Sequence, residues 1–555
     1  MTTARNSLLA ASAGAVRLPE DFPVFPEPDQ AAIFYSEMSY FWDLDDPENN
    51  LGPSRWLSWR SRDFVERYPK QNICIVFFMV DDQVGTDSSG EDIYSLQARV
   101  YDYRDPSNIQ ISEIQHILDM YRFNPSSNND VWNNSDYVPI QGWSGYQISV
   151  SEDCLVGSFA CHDIDGFRYQ MVFTITLDVN TMEVKAHWND GHVTERVNWD
   201  IVFKCNSFNN QGMIVYDHDW DSSFAIEVFE IQGTQVHGER VDNQVVIDEL
   251  GLREFWATTP QEPEKSPQYI IGLCNIGGNF WCLGVHAMQS TSIFSSVGRV
   301  HVMLVQATLG SLTLIDEYIV GEDYWQDFSD NQRVRRERVD QNWMSDAIAF
   351  KDGIVHVALH YDDYMNADPP RLGDDGYFMY EAVVRVSLSG FGETLHDGVT
   401  KVHEDRIPLD WNHVDRRFDK LTVWGKGVAW FNAEWSWTND GRDGFSELTT
   451  VQNGQYVAKM LDIAPLVNEH IDHPDGFFWD PPDGTSPSGF FPWSRMVTGD
   501  PIHYAASDIQ NSSILPVLFG NDYWWDRGMF LGLINLDHLS REAIAAGAPG
   551  HYRHI

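Results

Sequence analysis

Three aspartates at alternate positions, Asp217, Asp219 and Asp221, are the sharpest chemical signal in the chain. Alternate carboxylates on a loop can converge on one hard cation, and Ca2+ suits such oxygen ligands. An EF-hand loop would place Gly at 222 and Glu at 228, where this chain has Ser222 and Val228. The three acids are therefore candidate metal ligands of another calcium loop, and the competing reading is a solvated acidic turn. Asp163-Ile164-Asp165-Gly166 and Asn439-Asp440-Gly441-Arg442-Asp443-Gly444 are weaker relatives that read as turns. His356 and His360 are four apart, a zinc-chelating spacing on a helix. On a strand that spacing separates them by about 13 Å, so they read as core or channel histidines. Carboxyl pairs for glycoside hydrolysis can be drawn from Asp163, Asp219 and Asp363. With 82 acids in the chain such pairs are easy to find. The sequence specifies no nucleophile–base pair, and no catalytic residue is assigned.

The other chemistry in these residues is recognition. Asp81, Asp82, Asp163, Asp165, Asp362, Asp363 and Asp440 belong to acidic loops, with Trp437 beside the last of them. Trp132, Trp325 and Trp479 belong to long polar or aromatic insertions. Rings cover the apolar faces of pyranoses, and carboxylates and amides accept hydroxyl protons. A surface glycan is the ligand these residues suit.

Strands must position them. Residues 345–402 hold a short apolar run, a Lys351-Asp352-Gly353 turn, a run at 354–361, an acidic loop, a run at 381–388 and a weaker fourth run. Short β-branched and aromatic runs bounded by Gly/Asp turns are strand signals. The pattern recurs seven times, with second strands beginning near 73, 154, 212, 279, 353, 427 and 501. In the sixth copy Gln455–Ile463 reads as the third strand, and in the seventh Pro501–Asp508 reads as the second. Several runs are apolar on both sides of the pleat, as a sheet packed on both faces requires.

With these repeats the chain resembles the β-propeller superfold over most of its length, and is similar in organisation to virion- or tail-associated and glycan-binding propellers. The resemblance implies an all-β fold, a seven-bladed propeller of four-stranded antiparallel blades. Residues 1–30 form an extended Pro-rich arm, 31–545 the propeller, and 546–555 a tail. The seventh copy lacks a good fourth strand, so Ala32–Phe41 is expected to pair with it and close the ring. No family motif accompanies the architecture. The S-x-D-x-G-x-x-W turn of sialidases, WD40 and kelch signatures, G-x-S-x-G and the phosphate loop are missing.

In a meander of four strands, the loop after strand two and the connection to the next blade emerge on the same face. Both classes are the long ones here: acidic loops at 81–92, 162–166, 217–223, 362–376 and 438–444, and insertions at 121–143, 322–343 and 473–493. The opposite face receives tight turns. Binding sites concentrate on long loops.

Composition limits the partners. The net charge is −45, from 82 acids against 37 bases, which repels nucleic-acid phosphates and anionic membrane surfaces. It suits bound cations or a basic partner. The six cysteines form no CxxC pair, so buried free thiols and a reducing site of synthesis are expected. Cys274 and Cys282 flank one hairpin turn. No apolar run reaches the roughly 20 residues needed to span a bilayer, and the first residues do not read as a cleaved signal peptide. These features fit a non-enzymatic structural or recognition propeller. It would be a virion component such as a bacteriophage tail or capsid protein, assembled in a cytoplasm and joined to other subunits through its N-terminal arm. A glycosidase on the same scaffold is the alternative.

Overall fold

The computed structural model describes residues 32–39, 64–86, 92–105, 107–122, 137–141, 146–163, 165–197, 203–218, 223–254, 264–292 and 295–320. It also describes the strands that follow between 348 and 545. Most of these residues are in strands, and all but one of the strand pairs among them are antiparallel. The sequence reason is visible in Leu155–Asp163, where every residue but the last is buried. Phe224–Gln232 is likewise buried along almost all its length. Strands apolar on both faces cannot rest against solvent, so each sheet must be sandwiched between others.

Four of the sheets have four strands each, and three of those follow the chain in simple order: residues 203–240, 265–320 and 348–409. A six-stranded sheet covers most of 413–461. The first strands of successive groups stand side by side. Val497–Thr498 touches Phe64–Arg67, which touches Tyr146–Val150; then come Phe203–Phe208, Lys265–Gly277, Ile348–Lys351 and Thr422–Trp424. Sheets radiating from a row of inner strands make a β-propeller.

Where seven four-stranded units were expected, hydrogen bonding among the described residues gives six sheets. The first two units merge into eleven strands because Gln115–Arg122 pairs in parallel with Tyr137–Gln141. The last sheet takes its outermost strand from the N-terminal segment. Ala32–Ser39 lies antiparallel to Met529–Asn535, with Tyr35 opposite Gly532. This is the pairing expected for that segment.

Two local readings are corrected. In the fifth sheet Ser446–Gln452 is the third strand and Gln455–Leu461 the fourth, the two pairing antiparallel from Gln452 opposite Gln455. In the last sheet the partner of Val497–Thr498 is Ile514–Gly520, and Pro501–Asp508 lies outside the described residues. The connection after the 203–240 sheet carries a helix, Asn243–Leu250, that was not singled out in the sequence. Asp242 caps it by accepting from the Gln244 N–H, and Gly251 ends it in the left-handed region at φ 69°. Val246 and Leu250 drive its inner face into the core shared by the 203–240 and 265–320 sheets.

Gly212 shows how closely the neighbouring core, shared by residues 154–197 and the 203–240 sheet, is built. It pairs directly with Phe229, whose ring lies where a Cβ at 212 would stand. Gly157 makes the same room for Phe173. All six cysteines are buried and free, with Cys274 directly opposite Cys282. Burial pushes the Cys154 and Cys205 thiols up to about 12. No helix among the described residues is long and apolar enough to cross a membrane.

Candidate functional site

The described part of the long-loop face is the junction between residues 146–197 and 203–254. Its first component is the turn after Leu155–Asp163. Asp163 Oδ1 accepts from the backbone N–H groups of Asp165 and Phe167, both at 2.9 Å. Its Oδ2 accepts from the Tyr169 hydroxyl at 2.8 Å. Gly166, at φ 80°, lets the chain reverse within this short span. Arg196 donates from Nε to the Tyr169 hydroxyl at 3.2 Å. Its guanidinium lies 3.2 Å over the Phe167 ring centroid, a cation–π contact worth about 0.5–1 kcal/mol at an exposed site. Burial raises the Tyr169 pKa; Arg196 opposes the rise and Asp163 adds to it, so the hydroxyl keeps its proton and donates.

The second component is a buried carboxylate. Glu227 is 2% exposed and sits in the middle of the apolar run Phe224–Gln232. Its Oε2 lies 2.6 Å from His192 Nε2, and its Oε1 accepts the Glu195 N–H at 2.9 Å and the Tyr216 hydroxyl. Burial, then the neighbouring Glu227 charge, pushes the Tyr216 pKa well up, so the phenol remains a donor. Glu227 therefore joins its own sheet to the strand group before it. Above it, the Glu195 carboxylate pairs with Arg240 and lies 3.3 Å from His218 Nε2. Val197 and His218 form an isolated bridge. These contacts tie the connection after one strand group to the loop after strand two of the next. The two loop classes thus meet on one face, as the meander argument requires.

A third cluster sits in the 265–320 sheet. Glu317 Oε1 lies 2.5 Å from Lys265 Nζ and 2.7 Å from His301 Nδ1. Burial alone would raise the Glu317 pKa, but the His301 hydrogen bond and the Lys265 charge outweigh it and hold the carboxyl at about 2. His286, buried nearby, is lowered to about 4 by burial and then by His301.

The residues singled out in the sequence fall unevenly on this architecture. Asp163 and Asp165 are in the turn just described; Asp165 is exposed, and Asp163 is engaged in holding the turn. Asp81 and Asp82 lie in the strand Ile73–Thr86 rather than in a loop, which begins only after Thr86. The register jumps from Val80–Ser95 to Gly85–Ile93, so an irregularity absorbs the extra residues and lets pairing resume. Asp362 and Asp363 end the strand Ile354–Asp363, opposite Met379 and Phe378. Asp217 ends Gln211–Asp217 and is 1% exposed. Asp219, Asp221, Trp132, Trp325, Trp437, Asp440 and Trp479 lie outside the described residues. Among the described residues, no three His, Cys, Asp or Glu side chains are grouped to hold a metal. The residues that organise the junction, Phe167, His192, Glu195, Arg196, Tyr216, Glu227 and Arg240, were not singled out in the sequence. The available signal was an acid, Glu227, inside the largely apolar run FAIEVFEI and a Phe closing an acidic turn.

No protein-family model matches the chain, and no curated protein matches it. Among solved structures it is similar to the WD40 domain of SCAP from fission yeast, at 8% identity over 87% of this chain and 100% of that one, TM-score 0.30. It is similar to the β-propeller domain of the Trilobed protease from Pyrococcus furiosus, at 11% identity over 71% of this chain and 97% of that one, TM-score 0.25. It is also similar to a neuraminidase-like protein of A/little yellow-shouldered bat/Guatemala, at 9% identity over 72% and 98%, TM-score 0.25. Likeness at this level carries no argument about function, and the propeller is read from the chain's own sheets.

Proposed function

We propose that this chain is a recognition propeller within a larger assembly, without catalysis of its own. Its long-loop face meets the ligand and its N-terminal arm joins neighbouring subunits. The observation that carries the reading is the position of Ala32–Ser39. It is the outermost strand of the last sheet, so this strand begins at the outer rim and away from the loop face. Attachment and recognition can then act at separate places. The assembly we propose is a virion, with the chain as a tail- or capsid-associated component. A net charge of −45 supports a partner other than nucleic acid. A surface glycan is the proposed ligand of the acid and aromatic loops, and Ca2+ the proposed cation for Asp217, Asp219 and Asp221. The hydrogen bonds Asp163 makes within its own turn count against it as half of a catalytic carboxyl pair.

The test is electron microscopy of the native particle, beside a chain lacking residues 1–31. The expected result is residues 1–31 lying on a neighbouring subunit and a truncated chain that folds but fails to incorporate. A chain that is a free monomer, incorporates nowhere and releases sugar from glycan substrates would refute the proposal and favour a glycosidase.

A further inference from the structure

Phe167 and Ile111 are the large hydrophobic side chains left exposed among the described residues, at 37% and 44%. Ile111 lies in the short strand Gln110–Ile111, beyond a strand-three turn and therefore on the tight-turn face. Phe167 is on the long-loop face and is held by a closed circuit. Its N–H donates to Asp163 Oδ1, and its carbonyl accepts the Asp163 N–H at 3.1 Å. One face of its ring is covered by Arg196, Arg196 is fixed by Tyr169, and Tyr169 is fixed by Asp163. Tyr169 also meets Tyr137 edge-on, with centroids 5.1 Å apart. A flexible exposed Phe would lose conformational entropy on binding; this one is already ordered.

We infer that Phe167, with the Asp165 carboxylate beside it, is a contact point for one pyranose ring of a neutral glycan. The inference deepens the recognition function proposed above and rests on it. Three observations select the ligand. One ring face is occupied by a cation, which leaves one open face, and a pyranose presents one apolar face to such a ring. Asp165 is exposed two residues away and accepts hydroxyl protons. The chain's net charge of −45 disfavours anionic sugars. Size separates a sugar from a protein partner: a stable protein interface buries about 800 Å2 on each side, far more than one ring and one carboxylate offer.

The test uses the full chain and a panel of neutral oligosaccharides of glucose, galactose, mannose and N-acetylglucosamine, read by saturation-transfer NMR and titration. Phe167→Ala should weaken binding by about tenfold or more, the effect of a single anchoring side chain. Phe167→Trp, which keeps a ring and the fold, should bind within about threefold of the parent. Ile111→Ala should leave binding unchanged. If an oligosaccharide binds and Phe167→Ala binds it as tightly as the parent, this site is refuted while glycan recognition stands. If no oligosaccharide of the panel binds the parent chain, the glycan reading falls and this inference with it.

Discussion

Replacing Glu227 with Ala should loosen the junction that organises the long-loop face. The substitution removes one acceptor group from three donors: His192 Nε2, the Tyr216 hydroxyl and the Glu195 N–H. Tyr216 is fully buried and Glu227 is 2% exposed, so water does not readily replace the lost oxygens. A buried donor left without its partner costs about 1–3 kcal/mol, and three donors lose theirs at once. A total of about 3 kcal/mol, below three full penalties, is the expectation because His192 retains some access to solvent. The local readout is amide exchange at Glu195, whose N–H bonds directly to the deleted group. About 3 kcal/mol corresponds to exchange faster by on the order of a hundredfold. Glu227→Gln keeps one oxygen acceptor and should cost roughly half as much. Exchange at Glu195 within about threefold of the parent, with an unchanged urea midpoint, would refute the idea that Glu227 couples the two strand groups.

Acid should destabilise the fold early, through two buried histidines. Burial, followed by Arg168 against an opposing Asp163, lowers His162 from 6.5 to about 4, and burial with His301 lowers His286 likewise. The unfolded chain binds these protons near 6.5 and the folded one does not. Stability is therefore complete above that pH and falls from 6.5 towards 4, by on the order of 3 kcal/mol for each histidine. Urea midpoints across this range should flatten in His162→Gln or His286→Gln; an unaltered slope would count against the assignment. Gly212→Ala forces a Cβ into the Phe229 ring and should destabilise by about 1–3 kcal/mol, checked by urea denaturation, with a neutral result excluding the close packing. Deleting residues 1–39 removes the outer strand of the last sheet and leaves Met529–Asn535 as an open edge. That chain should aggregate where one lacking only 1–31 stays monomeric in light scattering; equal behaviour would show that the Ala32–Ser39 pairing does not seal the sheet.

Much of the architecture was legible because strands are local. Alternating or doubly apolar runs such as Leu155–Asp163, the turns that bound them, and the missing fourth strand that Ala32–Ser39 supplies all follow from short stretches of chain. Local ambiguity produced the local misreadings. Ser446–Gln452 and Gln455–Leu461 are adjacent runs that look alike, and Asp81–Asp82 are absorbed by a register irregularity that leaves no trace in composition. The helix Asn243–Leu250 carried an Asp cap and a Gly stop, and a Pro-rich neighbourhood hid them.

The site was a different kind of problem. A list of acids and rings named the turn at Asp163 and Asp165 but not what completes it. Arg196 reaches Tyr169 across 27 residues, and Glu227 reaches His192 and Glu195 across 35 and 32. The sequence by itself determined that there would be sheets buried on both faces and most of the segments that build them. Only the tertiary structure decided which polar side chains meet between neighbouring sheets. Strand formation depends on a period of two residues along the chain, whereas those meetings depend on how two separately formed sheets twist and pack against each other.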